Sequence, residues 1–217
     1  MSVTTSRRGA SLLLAGATLA AGAALVLAPG AASADEPDPI LTLKHDAQGT
    51  TVVKKTGSTL AIKPTTLTTH VNLVNGDLTG SLPIPSTTTE FKALGFLPVK
   101  ATVNFIPVGE VTGNINLTET QALVVSTAKY TIQLSDVKVA GFPTFAGSNC
   151  KTVTPAVIPA NTPAGEGFDL LEGGNLEGTY TLPSFANCGI NTPLINALVP
   201  GAGNTVKIQV SNGIVVE

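Results

Sequence analysis

Beyond about residue 40, apolar and polar positions alternate with a period of two. Leu60/Ile62, Val71/Leu73, Val99/Ala101/Val103/Phe105, Ala128/Tyr130/Ile132/Leu134 and Val206/Ile208/Val210 each put apolar side chains on one face of an extended segment. Threonine fills many of the opposite positions, where its β-branch suits a pleat and its hydroxyl suits water. Gly, Pro and Asn interrupt these runs every 8 to 12 residues or so, the spacing of sandwiches and barrels. The pattern predicts roughly nine to eleven strands in an all-β, antiparallel sandwich or barrel.

Two segments depart from this period. Ser86 to Gly95 carries Ser/Thr cap residues, Glu90 and a glycine stop. Thr192 to Val199 has Thr at an N-cap position and Pro193 at the first helical position, before Pro200-Gly201. Both are expected as one- to two-turn helices. Similar glycine frames, Gly76–Gly80 and Gly174–Gly178, precede them, and a third, Gly109–Gly113, leads into a strand. Either a strand–helix unit is duplicated, or glycine recurs where the sheet needs a bulge or a close backbone approach. Gly141 to Gly173, with Pro143, Pro155, Pro159 and Pro163, is expected as a long ordered surface loop and a natural candidate for a binding surface.

The first 34 residues change the picture by adding a compartment. Arg7 and Arg8 are followed by an apolar Ala/Leu-rich run from Leu12 to Leu27, a Pro29-Gly30 break and Ala32-Ser33-Ala34. This is the order of a secretory signal peptide cleaved after Ala34. The run is shorter than the roughly 20 residues of a membrane span. Ser6-Arg7-Arg8 hints at twin-arginine export, but Gly9-Ala10-Ser11 lacks the bulky residue that usually follows, which favours general secretion. No cysteine stands at the cleavage point for lipid attachment. The expected product is one extracytoplasmic domain, residues 35–217, without a transmembrane segment.

Removing the signal takes both arginines, leaving ten lysines against fourteen carboxylates, a net charge of −4. The lysines are scattered along the sequence apart from Lys54-Lys55, which reads as a solvated turn. A chain without arginine lacks the side chain that grips phosphate bidentately, so nucleic acid is not an expected partner. The two cysteines, Cys150 and Cys188, are expected to pair in an oxidising compartment.

Candidate chemistry is sparse. His45 stands beside Asp46 in a polar, turn-like stretch, and His70 lies on a predicted strand. Each reads as an exposed or half-buried strand histidine; a small hydrolase using either is the third functional alternative. Glu166, Asp169, Glu172 and Glu177 fall among glycines. They could serve glycoside hydrolysis or calcium, but match no calcium-loop spacing; a solvated acidic loop is expected. No catalytic, cofactor-binding or metal residues are therefore predicted. There is no Trp to form a strong glycan platform. Mean hydropathy is high, +0.33, and only 12% of residues are charged, a composition that fits a dry core or a cavity for a hydrophobic small molecule.

Gly80-Ser-Leu-Pro-Ile-Pro, Phe91 and the run from Leu97 to Phe105, with Gly178 to Phe185, Cys188-Gly and Pro193 to Gly201, resemble an uncharacterised group of small secreted β-rich proteins of high-GC actinobacteria. The resemblance spans roughly Leu60 to Val210. It implies secretion and a paired cysteine and carries no site residues. The expected function is a non-enzymatic envelope or extracellular role, structural or adhesive, with an envelope component as partner. The alternative is a carrier of a lipid or other hydrophobic small molecule.

Overall fold

The computed structural model describes residues 37–216 except 119, 120, 145 and 148. The expected signal peptide and its cleavage point lie outside the described residues. The chain forms strands β1 (Ile40–Val53), β2 (Ser58–Asn72), β3 (Asp77–Ser81), β4 (Thr87–Ala93), β5 (Leu97–Pro107), β6 (Val111–Leu117) and β7 (Ala122–Val139). These are followed by β8 (Phe142–Pro143), β9 (Cys150–Thr152), β10 (Ala156–Asn161), β11 (Gly173–Leu182), β12 (Phe185–Ala186) and β13 (Gly201–Val215). One helix, α1 (Thr192–Leu198), precedes β13.

Every pairing is antiparallel, and the ring closes. β1 pairs with β13 on one edge and β2 on the other, β2 with β3, and β3 with β6; β4 pairs with β5. β5 and β6 both lie along one edge of the long β7; β8, β9 and β10 lie along its other edge. β10 pairs with β11, β11 with β13, and β9 with β12. With β3/β4, β5/β6, β8/β9/β10 and β11/β12 each taken as one interrupted stave, the result is an up-and-down barrel of eight staves. That stave number leaves an interior just wide enough for side chains to fill or to hold one small ligand. Closure also pairs most of the sheet edges that would otherwise invite another chain, although β4 pairs only with β5 and β12 only with β9.

The period-two pattern determines which residues enter the barrel. Leu60, Ile62, Val71, Val99, Ala101, Val103, Tyr130, Ile132, Leu134, Val206, Ile208 and Val210 are all buried. Leu73 is not: it falls in the turn after β2 and is exposed.

The segment expected as the first short helix is instead β4. Its threonines alternate in and out, with Thr87, Thr89 and Ala93 buried, and a run of β-branched residues loses too much side-chain freedom in a helix. The second helix is present, with Pro193 in its first turn. Asn191, rather than Thr192, is its N-cap; the Thr192 hydroxyl donates to Gly189 O and accepts from the Cys188 amide. Since only one of the two frames leads to a helix, the strand–helix unit is not repeated. What recurs is close approach: a Cβ at Gly80, Gly113 or Gly178 would collide with a carbonyl of the neighbouring strand. Glycine lets adjacent staves crowd together there.

The Pro-rich region is the larger correction. Residues 141–173 are not simply a surface loop, since β10 inserts between β7 and β11 and closes the ring. Ala156, Ile158 and Ala160 point inward in regular alternation. Pro159, which cannot donate to a ladder, masks that alternation in the sequence.

Candidate functional site

The up-and-down path sends alternate turns to opposite ends of the barrel. At one end lie the β1–β2, β4–β5 and β7–β8 turns, the start of β9, and α1; at the other lie the β2–β3, β6–β7 and β10–β11 connections. The charges follow this division. Lys54, Lys55, Lys92, Lys100, Lys138 and Lys151 belong to the first end, against Glu90 and Asp136. Asp38, Asp46, Asp77, Glu166, Asp169 and Glu172 belong to the second, with Lys44 alone. Lysines scattered in the sequence are thus gathered in space, which sequence spacing alone does not reveal.

The lysine end also presents large apolar side chains. Leu94, Phe96 and Phe142 are 67%, 73% and 75% exposed at the tips of two neighbouring hairpins. Those hairpins are joined by the bond from the Ala140 amide to Pro98 O, 2.8 Å. Leu94 and Ala140 hold φ of 53° and 51°, a left-handed conformation that costs a non-glycine residue about 1–2 kcal/mol. Lys92, Lys100 and Lys138 flank the tips on the outer face, with Lys100 also bound to Glu90 at 2.6 Å. The carboxylate end exposes aliphatic residues too, among them Ile40, Leu73, Val74, Leu117 and Ile214, but beside acids rather than lysines.

Both mouths are closed. α1 tucks Ile195 in at the lysine end, beside buried Phe185. Here the Cys150–Cys188 disulfide joins β9 to the segment before α1, with Cα atoms 4.3 Å apart and both cysteines fully buried. At the carboxylate end residues 162–172 form a strap across the mouth. The Phe168 amide bonds to Ala122 O on β7 at 2.9 Å, the Gly213 amide of β13 bonds to Leu171 O at 2.6 Å, and the Phe168 side chain is buried.

The acidic run lies in and beside this strap. Asp169 Oδ1 accepts the amides of Leu171 and Glu172 at 2.7 and 2.8 Å. These bonds, from Glu172 first and Leu171 second, hold its carboxyl below the usual aspartate range. Glu166 accepts from Asn175, and Glu177 faces Lys207 at 3.8 Å. The four carboxylates are therefore turn and surface partners, and among the described residues no three His, Cys, Asp or Glu side chains gather as a metal set.

The two histidines do not meet. His70 is exposed on β2, its Nδ1 3.0 Å from the Thr42 hydroxyl. His45 is neither in a turn nor on the surface: it points into the barrel from β1 between Leu43 and Ala47 and is 3% exposed. The proximity of Asp46 in sequence concealed this, although the alternation Leu43/His45/Ala47 carries the signal.

Inside, side chains leave two apolar cavities of about 70 Å³ each. The one toward the carboxylate end is bounded by Leu43, His45, Leu78, Val124, Phe168 and Leu176. The other is bounded by Leu60, Phe91, Val103, Ile132, Leu134 and Phe185. Thr51, Phe105 and Tyr180 border both and form the partition. Thr51 donates to Thr205 O, so the Tyr180 hydroxyl donates to Thr51, at 2.8 Å. Burial pushes the Tyr180 phenol up, against the opposing effect of the Thr51 contact. Burial raises the Tyr130 phenol as well; its hydroxyl donates to Leu82 O.

No family model, no curated protein and no solved structure matches the chain.

Proposed function

We propose that this is a secreted, non-enzymatic protein with an adhesive role at the cell envelope, and that it docks on an anionic lipid surface through the lysine end of its barrel. The observation that carries this reading is the combination at that end: six lysines against two carboxylates, around exposed Leu94, Phe96 and Phe142. Apolar side chains that enter the headgroup region and lysines attracted to its charge are the two forces of interfacial binding. The chain as a whole is acidic, so only a segregated surface of this kind would favour an anionic partner. A carrier of lipid-sized cargo draws less support, because each interior cavity of about 70 Å³ is well below the several hundred Å³ of ordinary ligand pockets.

The test is co-sedimentation with vesicles of phosphatidylcholine alone and with added phosphatidylglycerol. Binding is expected only to the anionic vesicles, falling as salt is raised and weakened about tenfold or more by Phe96→Ser with Phe142→Ser. Absence of binding to anionic vesicles overturns the proposal. Binding that ignores the two phenylalanine substitutions overturns the lipid surface as partner and points to an anionic polymer.

A further inference from the structure

We infer that the cavity beside His45 is a binding site for a small apolar alcohol or phenol of single-ring size, whose hydroxyl donates to His45 Nδ1. The inference is independent of the docking proposal, which concerns the outside of the opposite end.

The argument begins with the tautomer. His45 Nε2 lies 2.9 Å from the carbonyl oxygen of Leu170 in the strap. A carbonyl only accepts, so Nε2 carries a hydrogen, and in the neutral ring Nδ1 is then a bare acceptor. Nδ1 is buried and has no hydrogen-bond partner, while the ring lines the cavity. Phe168 packs edge-on against the ring at 6.1 Å and offers no donor. Of the other polar groups around the cavity, Ser126 donates to Ala160 O, Tyr130 to Leu82 O, Tyr180 to Thr51 and Thr51 to Thr205 O. A buried acceptor without a donor is an unfavourable arrangement that evolved interiors rarely keep. Among the described residues it is the one such side-chain atom in this mostly apolar cavity wall. A ligand whose body is apolar and whose single polar group is a donor would satisfy both features.

The size of that ligand follows from the partition. Each cavity has about 70 Å³, and the two meet at Thr51, Phe105 and Tyr180. A shift of the Phe105 side chain, which has no hydrogen bond to lose, would join them into a space approaching the roughly 150 Å³ that admits benzene and leave the Tyr180–Thr51 bond in place. The second cavity also contains a buried polar atom without a partner, Thr89 Oγ1. It would lie in the same joined space, so Thr89→Val tests whether the preference for a hydroxyl belongs to His45 and not to this second atom.

The experiment titrates the full chain with phenol and with benzene, which differ by the hydroxyl alone. The readouts are binding isotherms and the ¹⁵N resonance of His45 Nδ1. Phenol is expected to move the Nδ1 resonance toward its hydrogen-bonded position, and benzene is not. The ratio of phenol to benzene affinity is expected to fall about tenfold or more in His45→Phe and to be unchanged in Thr89→Val. Should His45→Phe fail to fold, the Nδ1 resonance of the unsubstituted chain decides. An Nδ1 signal that responds identically to both probes, an unchanged ratio in His45→Phe, or no binding of either probe up to its solubility would each overturn the inference.

Discussion

The two ends of this barrel both expose large apolar side chains, yet they differ in charge and in how they are closed. One end gathers Lys54, Lys92, Lys100 and Lys138 around Phe96 and Phe142, and is stapled by a disulfide. The other gathers Asp38, Asp77, Asp169 and Glu172 around Ile40, Leu73 and Leu117, and is closed by a strap held through backbone hydrogen bonds. Exposed apolar area alone does not say what an end meets, because both have it. Charge beside that area separates them: an anionic interface attracts the first and repels the second. Closure separates them again, since a covalent staple resists conditions that loosen a hydrogen-bonded strap.

The sharpest way to break this comparison is to reverse the charges. Lys54→Glu, Lys92→Glu and Lys138→Glu together should weaken binding to phosphatidylglycerol vesicles by more than about a hundredfold, at about 1 kcal/mol for each lysine removed from the surface. The mirror variant, Asp38→Lys, Asp77→Lys and Glu172→Lys, should bind at least as well as the unsubstituted chain. If both triple variants lose binding alike, the division between the ends has no functional meaning.

The next effect concerns closure. Replacing Cys150 and Cys188 with Ala should cost about 4 kcal/mol, within the usual 2–5 for a native disulfide, since the bridge closes a long loop. Denaturant titration measures the loss. Hydrogen exchange should show it concentrated in β9, β12 and α1, with the 162–172 strap hardly affected. Uniform acceleration across the barrel would show that the ends are not independent.

The smallest expected effect is a titration at the strap. The Asp169 carboxyl is held below its ordinary value by the amides of Glu172 and Leu171. A carboxyl with a depressed folded value stabilises the fold fully above its unfolded value, about 4, and loses that contribution as pH falls through the folded value. Amide exchange at Leu171 and Glu172 should therefore accelerate, beyond the intrinsic trend, as pH drops below about 4. Asp169→Asn keeps an acceptor oxygen for the turn and should abolish that pH dependence. A response that persists in Asp169→Asn would place its source elsewhere.

Much of the architecture was legible in the residues. Alternation such as Val99/Ala101/Val103 and Val206/Ile208/Val210 specifies strands and their inward faces, because a side-chain period of two admits no other regular element. The pairing of Cys150 with Cys188 followed from there being two cysteines, and α1 from Pro193 after a polar cap. Less legible were elements whose local signals conflict. Ser86 to Gly95 carries helix-boundary residues yet forms β4, where β-branching and pairing with β5 prevail. Pro159 disguised a stave that the ring cannot close without.

By itself, then, the sequence determined an all-β chain, the inward face of most strands and the residues of its disulfide, all consequences of local period and residue chemistry. The tertiary structure alone decided that the sheet closes into a barrel, that His45 points into its interior, and that six of the ten scattered lysines share one end. These depend on which strands become neighbours. Neighbourhood is set by pairing between residues such as Thr127 and Pro159 or Thr50 and Lys207, far apart in the chain and invisible to any local pattern.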